Sequence, residues 1–201
     1  MQTVLSLGKS PPANAFLAKE ELQSKENFFP LELDFCNDCS FVQLAHVVSP
    51  EILFRNYVYV SSTSPVFVAH FKEFAEYVCT RFNLQSNSLI IDVGSNDGVL
   101  LKPFKEKNMK VLGVDPARNV ARRATKDGIL TLPHFFNVKI AESVVKKYGK
   151  AKVIAANNVF AHIDDLDEIV SAVKILLDKE GAFVIEAPYN IDLVEKNLFD
   201  I

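Results

Sequence analysis

The rhythm of apolar and polar positions changes near residue 62. Before it, Leu31, Leu33 and Phe35 alternate with Glu32 and Asp34, the period of a half-buried strand. Cys36-Asn37-Asp38-Cys39 follows, and Phe41, Val42 and Leu44 are apolar again. The pattern predicts two short strands joined by a turn that carries the cysteines. Pro11-Pro12 and Pro30 break residues 1–60 into short pieces, with no long helical period. Ser64-Pro65 then marks a helix start, because a serine oxygen suits the N-cap and proline the first turn. Phe67, Phe71, Phe74, Val78 and Phe82 recur at spacings of three and four, one face of that helix. Beyond Asn87, apolar runs at 88–93, 110–114, 129–132, 152–156 and 182–187 alternate with helical stretches near 98–108, 117–127, 137–148 and 164–178. Such alternation predicts an α/β fold: a parallel sheet of five strands covered on both faces. The expected domains are a small β-rich one over 1–62 and a larger α/β one over 63–201.

Composition narrows the classes. Hydrophobic residues make up 49% of the chain and charged residues 23%, which excludes a disordered chain. A net charge of -3 argues against broad electrostatic binding to nucleic acid. No apolar run approaches the roughly 18 residues of a membrane helix, so no membrane partner is expected. The first residues lack a basic stretch followed by an apolar core, and the chain has three cysteines, two of them in one C-x-x-C. A reducing, cytoplasmic location and a metal or redox role for the pair are expected.

The most informative local signal is Asp92-Val93-Gly94-Ser95-Asn96-Asp97-Gly98, a loop between an apolar strand and a helix. Glycine lets backbone amides approach a ligand closely. Asp115 ends the next strand, about 20 residues on, where an acid accepts hydrogen bonds from ribose hydroxyls. A dinucleotide site has the pattern G-x-G-x-x-G, but Asn96 and Val99 stand at its second and third glycines. Asp97 would place a carboxylate beside the pyrophosphate and repel it. An NAD-dependent reading fails on these three residues. Asn96 tolerates a positive φ, so the turn survives. The loop therefore suits a ligand with a ribose and no phosphates, such as S-adenosylmethionine, whose cationic groups Asp92 and Asp97 favour. The expected cofactor pocket comprises Asp92, Gly94, Ser95, Asn96, Asp97, Gly98, Asp115, Pro116, Phe135, Asn157 and Asn158. The two asparagines follow the fourth strand, at the edge where open parallel sheets bind ligands. Phe135 is placed to stack on adenine, while one of Phe135 and Phe136 belongs to the core. His162 lies four residues beyond Asn158 and is either a base near the substrate or a cap for the helix starting near Asp164.

Several segments occur together in one order: Pro12-Ala13-Asn14-Ala15-Phe16, the Cys36/Cys39 pair, Asn56-Tyr57-Val58-Tyr59-Val60-Ser61-Ser62 and the 94–98 loop. In this the chain resembles, over essentially its whole length, the S-adenosylmethionine-dependent C-methyltransferases that act on nucleotide-linked keto-deoxysugars. The resemblance implies a Rossmann-like class I methyltransferase sheet behind a small zinc-knuckle-like domain. It also implies the chemistry: a proton leaves the carbon beside a sugar ketone, and the resulting enolate attacks the methyl group of the sulfonium. Tyr57 and Tyr59 match the family's tyrosine segment, one of them facing the sugar with a hydroxyl for the developing oxyanion. His162 matches a histidine near the substrate.

The family has an earlier C-x-x-C that completes a zinc site of four thiolates, so Cys36 and Cys39 are half a site. Sheets of this class add two strands after the fifth, and a Tyr-His-Glu-His segment there supplies the principal base; this sequence contains neither. The chain is expected to be shortened at both ends, to fold around a cofactor pocket and to methylate slowly or not at all. The fifth strand is expected to form an exposed edge open to self-association. A non-catalytic scaffold with the same fold is the alternative, and titration with S-adenosylhomocysteine separates the two.

Overall fold

The computed structural model describes residues 1–196. The chain forms two compact units, Met1–Tyr59 and a second from Val60 onward. In the first, β1 (Gln2–Ser10), β2 (Phe29–Phe35) and β3 (Val42–Leu44) make an antiparallel sheet in that order. The two expected strands are β2 and β3. Strand β1 has no apolar rhythm to betray it: eight of its nine residues are exposed, and its pairing with β2 is interrupted at two places. What marks its register is polar. Thr3 Oγ1 donates to Asp34 Oδ1 at 2.8 Å and Ser6 Oγ to Glu32 Oε1 at 2.9 Å across the strands. The short helix α1 (Pro50–Phe54) closes this unit.

The second unit opens with helix α2 (Pro65–Arg81), whose Ser64 side chain accepts from the Phe67 amide. Phe71 and Val78 of the expected apolar face are buried, and Ala75 with them, while Phe67 and Phe82 of that face are exposed. There follow β4 (Leu89–Val93), α3 (Leu101–Glu106), β5 (Lys110–Val114), α4 (Arg118–Lys126), β6 (Thr131–Leu132), α5 (Val138–Tyr148), β7 (Ala151–Asn157), α6 (Leu166–Leu176), β8 (Leu177–Glu186) and α7 (Asn190–Glu195). The expected continuation of the last helix to Leu198 lies outside the described residues.

All five strands are parallel, in the order β6-β5-β4-β7-β8. Alternation along the strands sorts the core into two clusters. Ile91 and Val93 of β4 and Ile154 of β7 pack with Ala141, Val144, Ala172 and Leu176 of α5 and α6. Ile90, Val153 and Ala155 face the other way, against Phe71, Leu101, Phe104 and Ala124 of α2, α3 and α4. The strand order reverses at β4, between β5 and β7. Crevices at such switch points, outside the strands' carboxyl ends, are where ligands bind in open α/β sheets.

Strand β8 starts at Leu177, where the sequence pattern reads as the end of a helix. Helix α6 runs into it without a turn, because Lys152 Nζ holds Asp178 Oδ1 at 2.8 Å and Leu177 pairs with Ala151.

Candidate functional site

The carboxyl ends of β4, β5 and β7 bring the candidate residues together. At Gly94 the backbone has φ of +71°, and a Cβ there would lie 2.3 Å from Val159 Cγ2. Glycine is therefore required for both conformation and close approach. Asn96 adopts φ of 48°, the left-handed turn expected of it. Its side chain accepts from the Ser61 and Asp97 amides, each at 3.0 Å, tying the start of the unit to the loop.

The loop's backbone donors all point back into the protein. Gly94 and Ser95 donate to the Val114 carbonyl at 2.8 and 3.4 Å, and Gly98 donates to Ser95 at 2.9 Å. Asn96 donates to Asp115 Oδ2 at 2.8 Å, and Asp97 to the Asn96 side chain. Five successive N–H groups are thus engaged locally. The expected approach of these amides to a ligand is not what the structure has; the loop shapes the floor of the crevice instead, and no nest for a diphosphate is formed.

What faces the crevice is acidic and amide. Asp115 is buried, and besides Asn96 it accepts from the Ala117 amide at 2.8 Å, with half-buried Pro116 between, where proline supplies no competing donor. Each carboxylate oxygen keeps a further lone pair for a hydroxyl. Asp92, on the α2 side of β4 beside Ile90, is also buried. Burial, and then the nearby Asp115 charge, hold its carboxyl well above the usual range. Burial raises Asp115 too, against two backbone hydrogen bonds that lower it. Among the described residues no cation pairs with either acid.

A cavity of about 30 Å³ lies here, lined by Asp92, Gly94, Ser95, Asn96 and Asn157 together with Phe71. It has room for a small polar group or a water, not for a whole nucleoside. Both side-chain atoms of Asn157, Ser95 Oγ and Asp97 Oδ1 are buried without a partner among the described residues. Orphaned polar atoms at one place are what a polar ligand repairs. Gly113, which no motif singles out, makes room for one of them: a Cβ there would lie 2.3 Å from Ser95 Oγ.

Phe136 is the core residue of its pair, and Phe135 is half-buried. Asn158 has φ of 55° and donates through Nδ2 to Glu186 Oε1 at 3.2 Å. His162 sits in a 3₁₀ turn after β7, exposed, with protein crowded on one side of the ring lowering its pKa. It does not cap α6; Asp165 does, accepting from the Glu168 amide at 2.8 Å. Tyr57 and Tyr59 end the first unit and pack edge-on with each other, with Phe54 against Tyr57. One pair escapes sequence reading altogether: His70 Nε2 lies 2.6 Å from Glu186 Oε2.

The cysteine turn has the knuckle form. Cys36 N–H donates to the Phe41 carbonyl at 2.9 Å, Ser40 donates back to Cys36 at 2.8 Å, and Ser40 takes φ of 59°. Amides of Cys39 and Asp38 approach the Cys36 sulfur and lower its pKa, which favours the thiolate a metal binds. Two thiolates fit half of a tetrahedral zinc site. No cluster of three or more candidate ligands forms among the described residues.

Comparison with known proteins agrees with this geometry. Residues 68–200 match the family model of a methyltransferase domain. The chain belongs to the methyltransferase family. Residues 1–54 of this methyltransferase match a model described as a zinc-binding domain. It is 34% identical over 197 residues to C-methyltransferase NovU of Streptomyces niveus, covering 98% of this chain and 47% of that protein. It is 27% identical over 120 residues to the ubiquinone biosynthesis O-methyltransferase of Bartonella quintana (strain Toulouse), covering 55% and 48%. The methyltransferase chain thus spans about half the length of the curated relatives it matches. Among solved structures, the plantazolicin methyltransferase BpumL in complex with a pentazolic desmethylPZN analog and SAH has a TM-score of 0.52 at 17% identity, over 70% of this chain and 54% of that one. An S-adenosylmethionine-dependent methyltransferase from Clostridium acetobutylicum has a TM-score of 0.51 at 17% identity, over 64% and 54%. These two likenesses show the shared fold. No helix among the described residues is long and apolar enough to cross a membrane.

Proposed function

We propose that this methyltransferase chain binds S-adenosylmethionine at the carboxyl ends of β4, β5 and β7, and serves carbon methylation of a nucleotide-linked keto-deoxysugar. The observation that carries the cofactor reading is the division of labour in the loop. Its five N–H donors are engaged within the protein, while buried Asp92 lines the crevice with Asn157 and Ser95, whose polar side-chain atoms have no partner among the described residues, and buried Asp115 is oriented by two backbone amides. That set fits hydroxyls and a cation and disfavours phosphates.

The residues fall into roles under this reading. Asp115 would hold the ribose hydroxyls, with Pro116 and Ala117 setting its turn. Asp92 and the Asn157 amide would meet the amino-acid end, whose ammonium relieves the repulsion between Asp92 and Asp115. Phe135 would lie against the adenine. Bound there, the cofactor supplies an electrophilic methyl group. The protein's own tasks are to orient it, exclude water and move a proton.

The relative NovU, a C-methyltransferase aligned along nearly the whole chain, supports carbon as the acceptor. The resemblance through the Tyr57–Tyr59 segment and His162 supports a keto-sugar and an enolate. Tyrosine hydroxyls stabilise a developing oxyanion by donating to it. Three free thiols suit the reducing cytoplasm.

The experiment is calorimetric titration of the chain with S-adenosylhomocysteine and, separately, with NAD. Binding of the first and none of the second supports the reading. The converse, or no binding of either, would overturn it, and the latter would favour a scaffold role.

A further inference from the structure

Both polar side-chain atoms of Asn157 are buried without a partner among the described residues, and the residue lines the cavity with Asp92 and Phe71. Yet a carboxylate stands beside it. In the parallel pairing of β7 with β8, Asn157 is opposite Glu186, each the last residue of its strand. Alternation puts both on the face that packs against α2. Ala155, two residues before Asn157, and Val184, two before Glu186, pack with Phe71 and Phe104. Neighbouring strands lie about 4.8 Å apart, so side chains placed in this way are within reach of a hydrogen bond. A buried amide next to a carboxylate is expected to donate to it, and this one does not.

Glu186 is engaged elsewhere. Its Oε2 lies 2.6 Å from Nε2 of His70, which immediately precedes Phe71 on α2. Its Oε1 accepts from Asn158 Nδ2 at 3.2 Å. The Asn158 amide also donates to the Glu186 carbonyl at 2.7 Å. Asn158 takes φ of 55°, so the chain turns out of the sheet directly after Asn157. Helix α2, the end of β8 and the turn after β7 thus converge on one carboxylate, and the Asn157 amide keeps both its donors and its acceptor. Leaving a buried amide unpaired is costly, and a polar ligand recovers the cost. The clasp around it is half-open, with side-chain exposures of 43% for His70 and 29% for Glu186. A pair that water reaches adds little to stability, so the fold is expected to survive its removal. What the clasp supplies is direction: it fixes the turn from which Asn157 faces the cavity.

We propose that Glu186, anchored to α2 by His70, is a positioning residue that acts through Asn158 to hold the Asn157 amide open for the amino-acid end of S-adenosylmethionine. The inference rests on the cofactor reading of this edge and deepens it. An amide donates and accepts, so Asn157 serves a carboxylate through Nδ2 or an ammonium through Oδ1. Glu186 and His70 touch no reacting atom in this account; their effect on the ligand passes through Asn157 alone.

Titration calorimetry with two ligands tests this. S-adenosylhomocysteine carries the amino-acid end, and methylthioadenosine has the same adenosine and sulfur without it. E186A is expected to weaken S-adenosylhomocysteine by about tenfold or more and to leave methylthioadenosine within about twofold, because only the first reaches Asn157. N157A should do the same. The double variant E186A/N157A should bind no more weakly than N157A, since the two residues act as one unit. E186Q should restore binding, because its side-chain oxygen still accepts from Asn158 and its amide still donates to the imidazole. Equal loss of both ligands in E186A, additive losses in the double variant, or wild-type affinity in E186A would each overturn the inference. A second measurement needs no Glu186 variant. In nitrogen–proton spectra of the wild type, the Asn157 side-chain amide, identified by its loss in N157A, should shift when S-adenosylhomocysteine is added; an unmoved resonance would overturn the inference. Failure of the wild type to bind either ligand would instead overturn the cofactor reading, and this inference with it.

Discussion

Asp115 and Asp92 sit close together, yet their partners differ. Asp115 has two backbone donors that orient it and favour its charge, so it is ready to accept from hydroxyls. Replacing it with alanine is expected to weaken S-adenosylhomocysteine binding by about 1.5–3 kcal/mol for each charge-assisted hydrogen bond lost. Calorimetry of D115A checks this, and unchanged affinity would exclude the ribose assignment. Asp92 has burial and a like charge against it. Its folded-state pKa lies above that of the unfolded chain, so the folded state binds the proton more tightly. Stability from this group therefore falls as pH rises above the ordinary carboxylate range. D92N removes the penalty. Near neutral pH its melting temperature should exceed the wild type's by about 2–4 °C per kcal/mol relieved, and the gap should close as pH falls towards 4. The same variant should bind S-adenosylmethionine more weakly, since the ionised acid is what the cation prefers. A D92N protein no more stable than the wild type at pH 7 would count against this account of Asp92.

Elements hold these residues in place through a few close approaches. The turn after β4 depends on Gly94, whose φ of +71° and contact with Val159 leave no space for a methyl group. G94A is expected to destabilise the second unit by more than about 1 kcal/mol, read as a lower denaturation midpoint. A midpoint equal to the wild type's would show that the turn tolerates rearrangement. How far such features can be read from sequence depends on their range. The core strands β4, β5 and β7 show as apolar runs because both faces are covered, and the 94–98 loop shows because its glycines and Asn96 are local necessities. Strand β1 does not show, since almost nothing of it is buried and its register rests on Thr3 and Ser6 hydroxyls. The start of β8 is masked by Asp178 and Glu180, polar residues whose partner Lys152 is on another strand. His70 and Glu186 are 116 positions apart and carry no motif, so only the fold reveals them as a pair. Gly113 shows the same limit: its role exists only once Ser95 is folded over it.

For the whole molecule, the long strand at one edge of the parallel sheet matters most. Among the described residues β8 has one strand neighbour, β7, and Ile185 on it is 44% exposed. An open strand edge presents unpaired backbone groups to any other chain. Light scattering is expected to show self-association that grows with concentration, and I185K should reduce it; a monodisperse monomer at high concentration would remove edge pairing from the account. The cofactor reading itself is a statement about one unit, since the loop, Asp92, Asp115 and Asn157 all belong to the part from Val60 onward. It is tested most directly by isothermal titration of the chain with S-adenosylhomocysteine and with NAD under the same conditions. The account predicts saturable binding of S-adenosylhomocysteine, weakened in D115A, and no heat of binding from NAD. Tight binding of NAD with none of S-adenosylhomocysteine would contradict it.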